Sequence, residues 1–212
     1  AQIRSAQFVS NPGCYPQGFI LLIRPLIDAG VLAPDTGLRC NAISGYSGGG
    51  RKMIEQFEAY DSATADIMAV QAYGLEQQHK HLPEMQYYSG CTHLPLFLPT
   101  VANYAQGMLV QVPLFSTEIN GACAADIQNL LAQRYADEPF VQVAELGASD
   151  QLHGNYLTAT ARSGSNYIDL MVFGNDRSIV LCARYDNLGK GASGAAMQNL
   201  NIMLGIDEVT GL

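Results

Sequence analysis

The chain has 212 residues, 48% of them hydrophobic, with a formal net charge of −8, which suits one sizeable domain with a core of its own. Its eleven Lys and Arg residues are scattered, so no basic stripe is available to neutralise a phosphate backbone, and nucleic acid is excluded as a partner. The longest apolar runs, such as Phe19–Ile23, are too short to cross a bilayer and no signal-peptide pattern opens the chain, which excludes a membrane partner.

In chain order, the first motif is "SNPGCYPQG", Ser10–Gly18. Pro12 and Gly13 mark a turn, and Pro16 suits the first turn of a helix, where a missing N–H costs nothing. Apolar residues then recur at helical spacing from Phe19 to Ile27, and Gly30 is a natural stop. Cys14 therefore falls at a helix N-terminus, where free N–H groups and the helix dipole favour a thiolate and lower its pKa. The remaining four cysteines sit among small or apolar residues without a Cys-x-x-Cys pair. They are assigned to packing, and neither a disulfide framework nor a metal site is expected; a reducing cytoplasmic or organellar compartment follows.

Leu38–Ile43 reads as a short buried strand, and "SGYSGGGRK", Ser44–Lys52, follows as a glycine-rich loop. The amides of its "GYSGGGR" run, Gly45–Arg51, can approach an anionic group closely, with Arg51 adding charge; a plain surface loop is the alternative. A helix over Met53–Tyr60, a strand over Ile67–Tyr73 and a helical turn opened by Pro83 come next.

"HKHLPE", His79–Glu84, holds two of the four histidines. Metal ligation lacks a third cluster of ligands. Proton transfer beside a cysteine thiolate is the economical reading, with Glu84 orienting an imidazole or recognising a basic or amide group. The alternative is that both histidines cap or line a loop.

Leu94–Leu98 and Gly107–Phe115 read as extended, and Ala122–Tyr135 as an amphipathic helix. Phe140–Glu145, Leu157–Ser163, Tyr167–Phe173 and Ser178–Tyr185 read as strands, the last three as a meander, and Lys190–Leu204 as a closing helix. Antiparallel hairpins with helices on one face predict an α+β domain with a mixed, largely antiparallel sheet. "GKGASG", Gly189–Gly194, matches the dinucleotide fingerprint literally, but only eighteen residues follow it, too few for a second strand and a ribose-binding acid.

Together, "SNPGCYPQG", "SGYSGGGRKM", "HKHLPEM" and "DNLGKGASGAAMQNLN" resemble, in order and spacing, the shorter second type of N-acetyl-γ-glutamyl-phosphate reductase, a relative of aspartate-semialdehyde dehydrogenase. The resemblance implies NADPH-dependent reductive dephosphorylation of a small acyl phosphate in arginine biosynthesis by a homo-oligomer, dimer or tetramer. It implies Cys14 as nucleophile and His79 as the proton-handling group. His81, Glu84 and Arg51 would bind substrate. Ser44, Gly45, Ser47, Gly48 and Asn187 would border the cofactor.

Relatives carry a dinucleotide-binding domain ahead of the "NPGCYP" block, and thirteen residues precede Cys14 here. Residues 1–185 are therefore expected to form a catalytic and oligomerisation part, and 186–212 a C-terminal helix that packs on that domain. A reductase for an aminoadipyl or aspartyl phosphate, and a non-catalytic oligomerisation module, are the alternatives.

Overall fold

In a computed structural model, residues 2–60 and 69–212 are described. Seven strands form one sheet in the order β2-β3-β1-β4-β7-β6-β5. They are β1 Arg39–Gly45, β2 Val70–Ala72, β3 Leu96–Ala102, β4 Met108–Phe115, β5 Val141–Val143, β6 Ile168–Gly174 and β7 Ser178–Tyr185. β1 runs parallel to β3 and β5 parallel to β6, and the other four pairings are antiparallel.

Period-two alternation gives each strand one helix-facing side. Cys40, Ala42, Val110, Val112, Leu181 and Ala183 join one core with Phe19, Leu22 and Leu26 of α2 (Cys14–Asp28). Met85 of α4 (Leu82–Ser89) and Ile127 and Leu131 of α5 (Ala124–Arg134) belong to the same core. On the opposite side a smaller cluster of Leu109, Met171 and Cys182 is covered by Ala144, Ala148, Leu157 and Ala159. The chain is thus an α+β fold with a mixed, largely antiparallel sheet, as its patterning predicts.

α2 carries Pro25 in its interior. The missing N–H would leave the Leu21 carbonyl without its helical partner; the Tyr135 hydroxyl donates to it instead, at 2.8 Å. α5 is thereby fastened to α2 at the one point where the helix is incomplete.

Three expectations need correction. Leu157–Ser163 is not a strand: it runs as turns over the sheet, and only a His153–Tyr156 bridge precedes it. The antiparallel set there is β4-β7-β6, because Gly107–Phe115 supplies the missing neighbour. β3 extends to Ala102, beyond the expected Leu94–Leu98, and includes Pro99, a ladder residue that lacks only a donor and whose carbonyl accepts the Tyr73 N–H at 3.1 Å. Ile67 and Met68 of the expected strand lie outside the described residues; the rest of it contains β2. α3 (Arg51–Glu58) occupies the place of the expected Met53–Tyr60 helix, and α6 (Gly194–Leu204) closes the fold beside the short α1 (Gln2–Ser5).

Candidate active site

Four segments meet at the ends of β1 and β7: the turn before α2, the Ser44–Gly49 loop, the residues leading into α4, and the π-helical turn Gly189–Ser193. They enclose a cleft of about 680 Å³ lined by Cys14, Ser44, Gly45, Gly48, His79, Lys80, His81 and Asn187, among others. The structure therefore brings most of the sequence-derived site residues into one place.

Cys14 is the first residue of α2, with Gly13 extended (φ −63°, ψ 152°) as its N-cap. The thiol is half-buried. Burial pushes its pKa up, contrary to the lowering expected from a helix N-terminus. The backbone N–H groups of Tyr15 and Cys14 and the charge of Lys80 pull it down, and the Glu84 carboxylate pushes it up again. Desolvation outweighs the fixed dipoles because a thiolate loses more hydration in the cleft than two amides return.

The two histidines occupy different positions. The His81 imidazole lies against the turn: an added Cβ on Gly13 would stand 2.5 Å from its Nε2. Its Nδ1 is buried without a hydrogen-bond partner, and burial, followed by the charges of His79 and Lys80, lowers its pKa to about 4. His79 stands one step back. Its Nδ1 accepts the backbone N–H of His81 at 3.2 Å, and its ring packs on Tyr15, Tyr73 and Phe97.

Glu84 turns away from a ligand role. Both of its carboxylate oxygens accept the Gly13 N–H, at 2.9 and 3.2 Å, so it fixes the turn that carries the thiol. Arg51 lies outside the cleft, exposed at the start of α3 and paired with Glu55 at 2.6 Å.

Asn187 is buried and braces the glycine-rich loop. Its Oδ1 accepts the Gly107 N–H at 2.9 Å, and its Nδ2 donates to Ser47 Oγ at 3.0 Å and to the Gly45 carbonyl at 3.4 Å. Both amide protons are thus taken within the chain. Ser47 in turn donates to the Ala105 carbonyl at 2.5 Å. What remains open to the cleft is backbone: Gly48 and Gly49 present no side chain there, and a Cβ on Gly48 would crowd Asn187 Nδ2 at 3.1 Å. A flat ring fits such a wall, and the residues present suit the nicotinamide end of a dinucleotide.

The "GKGASG" segment does not offer its amides to a pyrophosphate. The Asp186 carboxylate accepts from Leu188 and Gly189 at 2.7 and 3.0 Å, the Asp186 carbonyl from Gly191 at 2.8 Å, and the Leu188 carbonyl from Ser193 at 2.7 Å. Its glycines serve packing: a Cβ on Gly191 would lie 3.1 Å from the Cβ of Cys14.

The chain matches the family described as semialdehyde dehydrogenase, dimerisation domain, over residues 14–187. It is 48% identical over 219 residues to N-acetyl-gamma-glutamyl-phosphate reductase 2 of Nostoc sp., covering 100% of this chain and 68% of that one. The chain belongs to the N-acetyl-gamma-glutamyl-phosphate reductase family. The reductase of Brucella anthropi is 45% identical over 96% of this chain and 66% of its own length. The chain therefore spans about two thirds of the length of these relatives. Among solved structures, aspartate semialdehyde dehydrogenase II from Vibrio cholerae shares the fold, with a TM-score of 0.66 at 16% identity over 93% of this chain and 62% of that one. No helix among the described residues is long and apolar enough to cross a membrane.

Three residues at the cleft, Lys80, Tyr15 and Tyr73, went unremarked in the sequence. Lys80 lines it between the two histidines and lowers the Cys14 pKa; the signal was present as the middle letter of "HKH". Tyr15 and Tyr73 join hydroxyls at 3.0 Å beside the histidine rings, a contact between residues 58 positions apart that no local pattern announces.

Proposed function

We propose that this chain is the catalytic part of an NADPH-dependent reductase of N-acetyl-γ-glutamyl phosphate, yielding N-acetylglutamate semialdehyde and phosphate in cytoplasmic arginine biosynthesis. The observation that carries the reading is one cleft holding a cysteine at a helix N-terminus, an imidazole pressed on the preceding glycine, and one lysine. The Cys14 thiolate attacks the acyl carbon. A C–S bond forms, the bond from that carbon to the phosphate oxygen breaks, and phosphate leaves with the electron pair, giving a thioester on Sγ.

NADPH, when bound, supplies the hydride that takes the acyl carbon to the aldehyde level; the C–S bond then breaks, its electron pair returns to Sγ, and the semialdehyde leaves. Ser44, Gly45, Gly48 and Gly49 would border its nicotinamide, with Asn187 and Ser47 holding that wall in shape. Of the two histidines, His81 suits the proton-handling role expected of His79: it stands against the Cys14 turn and keeps an unpartnered Nδ1. A neutral imidazole there holds a proton for the oxygen on which charge develops. Lys80 supplies the positive charge for the anionic substrate that Arg51 is too distant to give.

The chain would work as a homo-oligomer. On the sheet face away from the helices, Leu96, Leu98 and Phe115 are exposed, flanked by Asn41 and Gln111, and a second copy fits this half-face. Met197, Leu200 and Leu204 of α6 are likewise open and suit the dinucleotide-binding domain of the relatives. Phosphate-dependent reduction of NADP by N-acetylglutamate semialdehyde, assayed on the full-length polypeptide, tests the function. Activity with an aminoadipyl or aspartyl substrate in its place, or with neither, would replace the reading.

A further inference from the structure

β7 ends at the buried Tyr185, and two buried polar residues, Asp186 and Asn187, follow it. Asp186 and Asn187 hold the π-helical turn and the glycine-rich loop as described above. Tyr185 reaches the nucleophile. Its hydroxyl donates to the Cys14 carbonyl at 2.6 Å and accepts the Gly18 N–H at 3.1 Å, so it straddles both ends of the first helical hydrogen bond that starts at Cys14. Gly18 leaves room for this: a Cβ there would stand 2.7 Å from the Tyr185 oxygen.

The Cys14 carbonyl belongs to the same peptide as the Tyr15 N–H, the dipole of which pulls the thiol pKa down. Tyr185 thus bonds directly to the peptide that follows the thiol-bearing residue. A hydrogen bond to an amide carbonyl polarises the amide and strengthens its N–H as a donor. It also fixes the orientation of that peptide, and a misplacement near 1 Å at a nucleophile costs on the order of 100-fold in rate.

We propose that Tyr185 is a positioning residue for Cys14, acting through the Cys14–Tyr15 peptide, with Gly18 as the space that admits its hydroxyl. The inference rests on Cys14 being the reactive thiol. Burial raises the Tyr185 pKa well above its ordinary value, so the hydroxyl stays a donor throughout the working range. The other charged and titratable groups around Cys14 are His79, Lys80 and His81 from the segment entering α4, Glu84 within α4, and Tyr15 and Tyr73 beside them. The π-helical turn brings only Gly191, Ala192 and Ser193.

The test is peptide-resolved iodoacetamide labelling of the full chain across pH, with the exposed Cys123 as internal reference. Tyr185→Phe is expected to slow Cys14 labelling about tenfold at pH 7 by moving its midpoint up by about one unit, leaving Cys123 unchanged. Gly18→Ala, a change that in an ordinary helix stabilises, is expected to do the same by displacing the hydroxyl. Because both act on one contact, the double variant should be no slower than the slower single variant. A native Cys14 profile in either single variant, or additive slowing in the double, overturns the proposal. Turnover surviving Cys14→Ser would overturn the assigned function instead, and leave the labelling result intact.

Discussion

Glu84 holds Gly13: two carboxylate oxygens of α4 converge on the one N–H that precedes Cys14. The contact joins residues 71 positions apart and locks the Cys14 turn to the helix entered through His81. It also leaves a negative charge beside the thiol, which raises the Cys14 pKa. Glu84→Gln keeps an acceptor and removes the charge, so the thiol should ionise at lower pH and label faster at neutral pH. Glu84→Ala removes the acceptor too and should destabilise the fold by about 2 kcal/mol, a charged hydrogen bond's ordinary worth. Labelling rates and thermal midpoints of the two variants separate these effects.

Lys80 and Arg51 should behave differently although both are cations near glycine or histidine motifs. Lys80 lines the cleft and Arg51 does not. Lys80→Ala is expected to raise KM for the acyl phosphate and to slow Cys14 labelling, because a charge that lowers the thiol pKa is lost. Among the described residues Arg51→Ala breaks an exposed pair with Glu55 and should shift stability by less than about 0.5 kcal/mol with KM unchanged. Steady-state kinetics of both variants decides; the opposite pattern returns the anion-binding role to Arg51.

His81 sets a pH dependence whose sign is fixed by burial. Its folded pKa is about 4, below its ordinary value of 6.5, so between those limits the unfolded chain binds the proton more readily. Stability is then full above pH 6.5 and falls as pH drops toward 4. His81→Asn should flatten that decline in a series of thermal midpoints. The same variant should lower kcat more than it raises KM, and His79→Asn should do less to kcat; the reverse pair of phenotypes would assign the proton to His79.

The α+β class was legible because strand alternation and helical spacing are local signals: the Phe19–Ile27 stripe is α2's buried face, and Gly107–Phe115 contains β4. Leu157–Ser163 misled because its apolar residues do face the sheet, packing Leu157 and Ala159 on Leu109 and Met171, without joining the ladder. The motifs single out Cys14, His79, His81 and the glycine loop, and these line one cleft. The occupations of Glu84 and Asn187 were hidden, since Gly13 and Gly107 lie 71 and 80 residues away from them. The thiol's pKa was hidden for a different reason: a helix N-terminus is visible in sequence, and the depth of its burial is not.

The most direct measurement is mass spectrometry of the chain after rapid mixing with N-acetyl-γ-glutamyl phosphate, with NADPH withheld and the reaction quenched in acid. Without a hydride donor the acyl group should remain on the enzyme, so the peptide containing Cys14 should carry it, with one phosphate released per acylated chain, and Cys14→Ser should abolish both. An acyl group found on another residue, or phosphate release undiminished in Cys14→Ser, would contradict the account.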